Sequence, residues 1–274
     1  MFGVFIRSVE ERTEMLCLES CQSCIPREHI HIIRNEFPAY KAFMKMFEQA
    51  EAKGYDWFLG LDADIVLVPG WYETVLEKKA EMEKEDWFVF TISVRDKFLG
   101  KIDRGNHFYN GKYVGDALEA LQTKTKDTLK PESKIRHHVD AKNRFFDDIY
   151  IGYHGYEQFF SDIFYRFWLQ SKRLGKLERK HSFLREKPQE RPGQDMDFFA
   201  AQKGWRTGKD GSAMQRWLRS RFPSFMKNGT VSDARSDASL RETLFSEHLK
   251  NMQEKAPLTL SWESFLKSVQ HDPI

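Results

Sequence analysis

Residues 55–77 read YDWFLGLDADIVLVPGWYETVLE, and the order of residue types in this stretch decides the fold. Asp56–Leu61 is an apolar run of strand length that leads straight into Asp62-Ala63-Asp64. A second apolar run, Ile65–Val68, is closed by Pro69 and Gly70, and a helical pattern follows from 71 to about 84. Two aspartates two apart on an extended segment point the same way, so both can converge on one hard cation or on its ligands. A bare D-x-D is common in surface turns. Here both flanks are apolar, and two adjacent carboxylates there are costly unless something neutralises them. The pair is therefore read as metal-binding.

Outward from this stretch, strands and helices alternate. Residues 2–7 (FGVFIR) form a first strand, followed by a helix over about 11–24 that ends before Pro26. Residues 29–34 (HIHIIR) alternate as a second strand. A helix over 40–53 places Phe43, Met46, Phe47 and Ala50 on one face and stops at Gly54, and WFVFTISV (87–94) is a further strand. Strands separated by helices argue an α/β fold with a mostly parallel sheet flanked by helices, in which ligands gather at the carboxyl ends of the strands. Beyond residue 95 the pattern loosens. Residues 98–113 read as a turn or hairpin, 124–134 as loop, and 156–173 as an aromatic-rich helix ended by Gly175. The last part, from about 209, carries two or three helical patterns, and the chain shows no internal repeat.

The net charge of +2, from 43 Lys and Arg against 41 Asp and Glu, hides an uneven distribution. Residues 1–90 hold 10 basic and 17 acidic side chains, whereas residues 124–191 hold 16 basic and 10 acidic. The densest basic run is KRLGKLERKHSFLREK, from Lys172 to Lys187. Such a run is either a solvated helix face or a wall for an anionic substrate. The acidic first third argues against nucleic acid. Hydrophobic residues at 41% exclude a disordered chain, and the strongest apolar stretch is far short of the ~20 residues of a membrane helix. Residues 1–30 show no basic start followed by an apolar core, so a cytoplasmic location is expected.

The D-x-D stretch resembles the corresponding region of nucleotide-sugar glycosyltransferases with the Rossmann-like GT-A fold, and is similar to the large family that synthesises bacterial polysaccharides. VFIRSVEERTEMLCLESC (4–21) is similar to that family's first strand, donor-binding turn and following helix, carried by Arg12, Leu16 and Ser20. The family's Pro-Thr-Tyr-Asn is replaced by Ser8, Val9, Glu10 and Glu11. The resemblance implies a transferase moving a sugar from a nucleotide diphosphate sugar to a hydroxyl of a glycan, lipid-linked or other acceptor, with Mn2+ or Mg2+. It implies that Asp64 binds the metal and that Asp62 reaches the ribose or the metal shell. Arg7, Ser8, Glu10, Arg12 and Lys41 would line the donor, and Lys176, Arg179 and Lys180 would hold the diphosphate. Glu157, with Asp162 in reserve, would be the general base if the reaction inverts configuration. His181, with His154 as the alternative, would complete the metal shell. The implied organisation is a catalytic domain over 1–208, donor half 1–95 and acceptor half 96–208, with a helical extension over 209–274.

Two further readings remain. Cys17, Cys21 and Cys24 have the C-x3-C-x2-C spacing of radical-SAM iron–sulfur enzymes, but offsets of 0, 4 and 7 also place three small apolar residues on one helical stripe. A non-catalytic binding module on the same scaffold is the other reading, because Phe159 and Phe160 stand where the family carries Glu-Asp. Asp195 and Asp197 form a second D-x-D without a preceding apolar strand and read as a helix start, and His137 and His138 are left as acceptor contacts. Trp217, Leu218 and Phe222 among Arg216, Arg219 and Arg221 leave peripheral membrane contact open, with packing on the catalytic domain as the ordinary alternative.

Overall fold

The computed structural model describes residues 1–36, 39–102, 105–124, 131–156, 158, 163, 166–167, 201, 204–205 and 261–269. The chain divides into two compact units, 1–156 with 249–274, and 157–248. The 208/209 boundary drawn from the sequence falls inside the second unit.

The first unit contains β1 (Phe2–Ser8), α1 (Glu14–Gln22), β2 (Ile30–Arg34), α2 (Ala39–Lys53), β3 (Trp57–Asp62), β4 (Ile65–Leu67) and α3 (Trp71–Met82). These are followed by β5 (Trp87–Asp96), β6 (Gly100–Ile102), β7 (Asn106–Asn110), α4 (Val114–Lys124), α5 (Pro131–His138) and β8 (Lys142–His154). A last helix, α6 (Trp262–Val269), belongs to the same unit. The sheet runs β2-β1-β3-β7-β5-β8-β4, and β6 pairs with β5. β1, β2, β3, β5 and β8 are parallel, while β7 runs antiparallel between β3 and β5 and β4 runs antiparallel at the β8 edge. This is the α/β, mostly parallel, helix-flanked sheet expected from the sequence.

Alternation along the strands divides the core. Val4, Ile6, Leu59 and Leu61 join Cys17 and Cys21 of α1 and Trp71 and Val75 of α3 on one face. Phe5, Phe58 and Tyr109 pack with Met46 and Phe47 of α2 and with α4 and Ile135 of α5 on the other. Helix α6 closes a third cluster, in which Phe265 meets Leu16, Val66, Tyr153 and Tyr156. No described helix is long and apolar enough to cross a membrane.

Beyond residue 95 the structure refines two expectations and adds a strand not read from the sequence. The 98–113 segment supplies a β5–β6 hairpin and then β7, a buried strand in the middle of the sheet. The segment read as loop over 124–134 is helical from Pro131, which suits the first turn of α5 because its missing N–H costs nothing there. The strand β8 follows, broken where Ile92 pairs with Phe146 but Ser93 pairs with Tyr150. That bulge carries Asp147 and Asp148 and masks the period-2 pattern.

Candidate functional site at the carboxyl edge

Four parallel strands end at the same edge, β1 at Ser8, β3 at Asp62, β5 at Asp96 and β8 at His154. The register sets Arg7 opposite Asp62 and Asp96 opposite His154. The Asp62–Asp64 backbone is held from four directions. Asp62 N–H donates to the Gly105 carbonyl (2.7 Å), Ala63 N–H to the Arg7 carbonyl (3.0 Å) and Gly155 N–H to the Asp64 carbonyl (3.2 Å). The Thr13 hydroxyl donates to the Ala63 carbonyl at 2.9 Å. Ala63 and Asp64 thus form a turn instead of the extended segment read from the sequence, and the two carboxylates take different partners.

Asp62 faces Arg7. The guanidinium donates to Asp62 Oδ1 from Nη2 (2.7 Å) and Nε (3.0 Å), and its carbon lies 4.2 Å from the Phe43 ring centroid. Arg7 is buried, and although burial alone would lower its pKa, Asp62 raises it. Burial pushes the Asp62 pKa upward, Arg7 pulls it down, and the charge of Asp64 pushes it up again. The net direction is upward, tempered by solvent because the Asp62 side chain keeps 44% of its surface exposed. Gly105 lies against this carboxylate. Its φ is +78°, and a Cβ there would sit 2.8 Å from Asp62 Oδ2 and 2.7 Å from Ile65 Cδ1.

Asp64 faces His154. His154 Nε2 is 3.1 Å from Asp64 Oδ2, and Nδ1 is 2.6 Å from Asp96 Oδ2. The Asp96 side chain has no exposed surface, and its Oδ1 accepts the N–H groups of Phe98 and Leu99, each at 2.8 Å. A carboxylate that accepts two backbone bonds is held in its ionised, accepting form, so Nδ1 of His154 is assigned as the donor. Nε2 is then the ring nitrogen turned toward Asp64. The 3.1 Å separation of Nε2 from Oδ2 fits the edge of about 3.0 Å between neighbouring ligands of an octahedral ion with bonds of about 2.1 Å. Among the described residues no group of three His, Cys, Asp or Glu side chains forms a metal cage. Two protein ligands completed by phosphate oxygens and water is the manner in which Mg2+ is held at nucleotide sites.

The turn between β1 and α1 closes the near side. Glu11 Oε2 accepts the Ser8 hydroxyl (2.9 Å) and Val9 N–H (2.7 Å), and the Ser8 hydroxyl accepts Glu10 N–H (2.9 Å). Glu10 adopts a φ of +62°, and its carboxylate accepts the Asn35 side-chain amide at 2.7 Å. Burial first, and then the charge of Asp64, push the Glu11 pKa up to about 8.

Of the residues expected from the sequence, Arg7, Ser8, Asp62, Asp64 and His154 end at this edge. Glu10 is engaged by Asn35, Arg12 is half-buried in the turn before α1, and Lys41 is exposed in the first turn of α2. Glu157, Asp162, Lys176, Arg179, Lys180 and His181, like Asp195 and Asp197, lie outside the described residues. His137 and His138 sit in the last turn of α5, where His138 Nε2 lies 3.8 Å from Glu119 Oε1. Sequence reading missed Asp96, Glu11 and Gly105. For Asp96 a signal was present, since it terminates the apolar run of β5 as Asp62 terminates that of β3.

The cysteines take the places expected of an apolar stripe on α1. Cys17 and Cys21 are core residues on α1, and Cys24 lies past its end. Burial drives the Cys17 thiol well up and Cys24 up to about 11.

No family model matches the chain, and no curated protein matches it. Similar solved structures include glycosyltransferases. Residues 1–349 of S. aureus TarS align at 11% identity and a TM-score of 0.42, over 92% of this chain and 90% of that one. A mannosyltransferase of Pyrobaculum calidifontis, solved with GDP-Man and Mn2+, aligns at 10% identity and a TM-score of 0.37, over 93% and 88%. A glycosyltransferase involved in glycosylation of the major capsid of PBCV-1 aligns at 12% identity and a TM-score of 0.40, over 56% and 92%. Similarity at this level assigns neither family nor activity.

Proposed function

We propose that the chain is a metal-dependent glycosyltransferase that takes its sugar from a nucleotide diphosphate donor and passes it to an acceptor hydroxyl. The observation that carries this reading is the Asp64–His154 pair, 3.1 Å apart and backed by Asp96, beside the Arg7–Asp62 pair at the carboxyl edge of a mostly parallel sheet. Asp64 and His154 would hold Mn2+ or Mg2+, which when bound neutralises the diphosphate as it leaves. Asp62, fixed by Arg7, offers its exposed oxygen to the donor ribose, and the β1–α1 turn around Ser8, Glu10 and Glu11 faces the nucleoside. On the resemblance, Glu157 or Asp162 would take the acceptor proton in an inverting reaction, Lys176, Arg179 and Lys180 would hold the diphosphate, and His181 is the alternative to His154 as metal ligand.

The test is thermal denaturation with Mn2+ and a panel of nucleotide sugars. At least one donor should raise the melting temperature only when Mn2+ is present, and Asp64→Ala should abolish that rise. A wild-type protein that responds to no donor, or an Asp64→Ala variant that responds like wild type, refutes the proposal.

A further inference from the structure

The geometry points to Asp96 as a positioning residue that fixes His154 as a metal-binding arm and acts on the cation only through that imidazole. This inference rests on the function proposed above. A carboxylate with no exposed surface sits at the end of a central strand, in a place where an uncompensated charge is very costly. Among the described residues, its donors include two backbone amides and the His154 ring. Phe98 and Leu99 N–H bind Oδ1 at 2.8 Å, and His154 Nδ1 binds Oδ2 at 2.6 Å.

The two backbone bonds would suffice to turn the chain into β6, so the hairpin alone leaves Oδ2 unexplained. The short Oδ2–Nδ1 contact aligns the ring along the line from Asp96 to Asp64. It also selects the tautomer that leaves Nε2 as the ligating nitrogen. A carboxylate behind a ligating histidine raises the basicity of the ring and holds its orientation, and loss of such a partner typically weakens metal binding about 10- to 100-fold. The backbone around the arm is fixed as well. Lys97 N–H donates to the His154 carbonyl (3.1 Å), Gly155 N–H to the Asp64 carbonyl (3.2 Å), and Ile65 pairs with His154 across β4 and β8. The arm is therefore mounted on three strands, a rigid placement of the kind a metal site needs.

The competing arrangement is a permanently protonated His154 serving as a strut between two carboxylates, with no metal role. The two differ in what a double-mutant cycle shows. Mn2+ affinity is measured by electron paramagnetic resonance, with UDP and GDP present in separate samples, for wild type, Asp96→Asn, His154→Ala and the double variant. A positioning role predicts that Asp96→Asn weakens Mn2+ binding about 10- to 100-fold and that the double variant binds no worse than His154→Ala. It also predicts that bound Mn2+ selectively broadens the 15N-labelled His154 ring signals, and that Asp96→Asn reduces this broadening. Additive losses, or Mn2+ binding unchanged in Asp96→Asn while Asp64→Ala abolishes it, overturn the inference but leave the proposed function standing. Wild type that binds no Mn2+ with either nucleotide overturns both. If Asp96→Asn fails to fold, ring broadening in wild type decides: His154 signals that titrate with both nitrogens protonated and ignore Mn2+ refute the positioning role.

Discussion

Gly105→Ala tests whether the Asp62 carboxylate is held in place by the absence of a side chain beside it. Two costs add at this position. The backbone has a φ of +78°, and an alanine in that region costs about 1–2 kcal/mol. The added Cβ meets Ile65 Cδ1 at 2.7 Å and Asp62 Oδ2 at 2.8 Å, and forcing a methyl into a packed site costs a further ~1–3 kcal/mol. Gly54→Ala is the control, because its φ is +63° but nothing lies within 4 Å of the new Cβ. It bears only the conformational cost. With about 2–4 °C per kcal/mol for a domain of this size, Gly105→Ala should melt roughly 2–12 °C below Gly54→Ala. The steric component also displaces Asp62 from Arg7, so nucleotide affinity measured by calorimetry should fall in Gly105→Ala and stay unchanged in Gly54→Ala. Equal melting temperatures and equal affinities for the two variants would refute the reasoning.

Three other outcomes are expected. Ser20→Ala should cost about 1–3 kcal/mol in a denaturant titration, because the Ser20 hydroxyl accepts Leu67 N–H (3.1 Å) in the core and donates to the Cys17 carbonyl (2.7 Å). Phe265→Ala should cost about 3–5 kcal/mol and uncouple α6, since Phe265 is fully buried against Leu16, Val66, Tyr153 and Tyr156; a loss below 1 kcal/mol would mean that α6 does not contribute to the core. Burial, with Lys53, Arg27 and His29 nearby, lowers the His31 pKa to about 4 from its ordinary 6.5. Between those values the unfolded chain binds more protons, so stability contributed by His31 is present above pH 6.5 and is lost as pH falls toward 4. His31→Gln should flatten the stability–pH curve in that window, and an unchanged slope would contradict the assignment.

The elements legible in the sequence are those whose pattern is local. β1, β3, α2 and α3 follow from apolar runs, helical periodicity and the stops at Gly54, Pro69 and Gly70. β7 was hidden because its five residues, NHFYN, are polar at both ends, and their amides are used inside the fold. The Asn106 side-chain amide donates to the Ile92 carbonyl (2.7 Å) and that of Asn110 to the Trp87 carbonyl (3.0 Å). β8 was hidden by its bulge and by charges that pair with α3, Asp148 with Lys78 and Arg144 with Glu81.

For the candidate site, the sequence by itself determined that two aspartates end a buried strand, because an apolar run interrupted by D-x-D is local information and its desolvation cost is visible from its neighbours. It also determined the α/β class, through the alternation of strand and helix periods. Only the tertiary structure decided which partner each carboxylate takes. Arg7 reaches Asp62 across 55 residues and Asp96 reaches His154 across 58, through strand registers that no local pattern encodes. The same registers separate Asp62 from Asp64 by a turn, so that one is paired with a guanidinium and the other with an imidazole. Residue type and spacing name the groups that are costly to bury. Sheet order determines what compensates them.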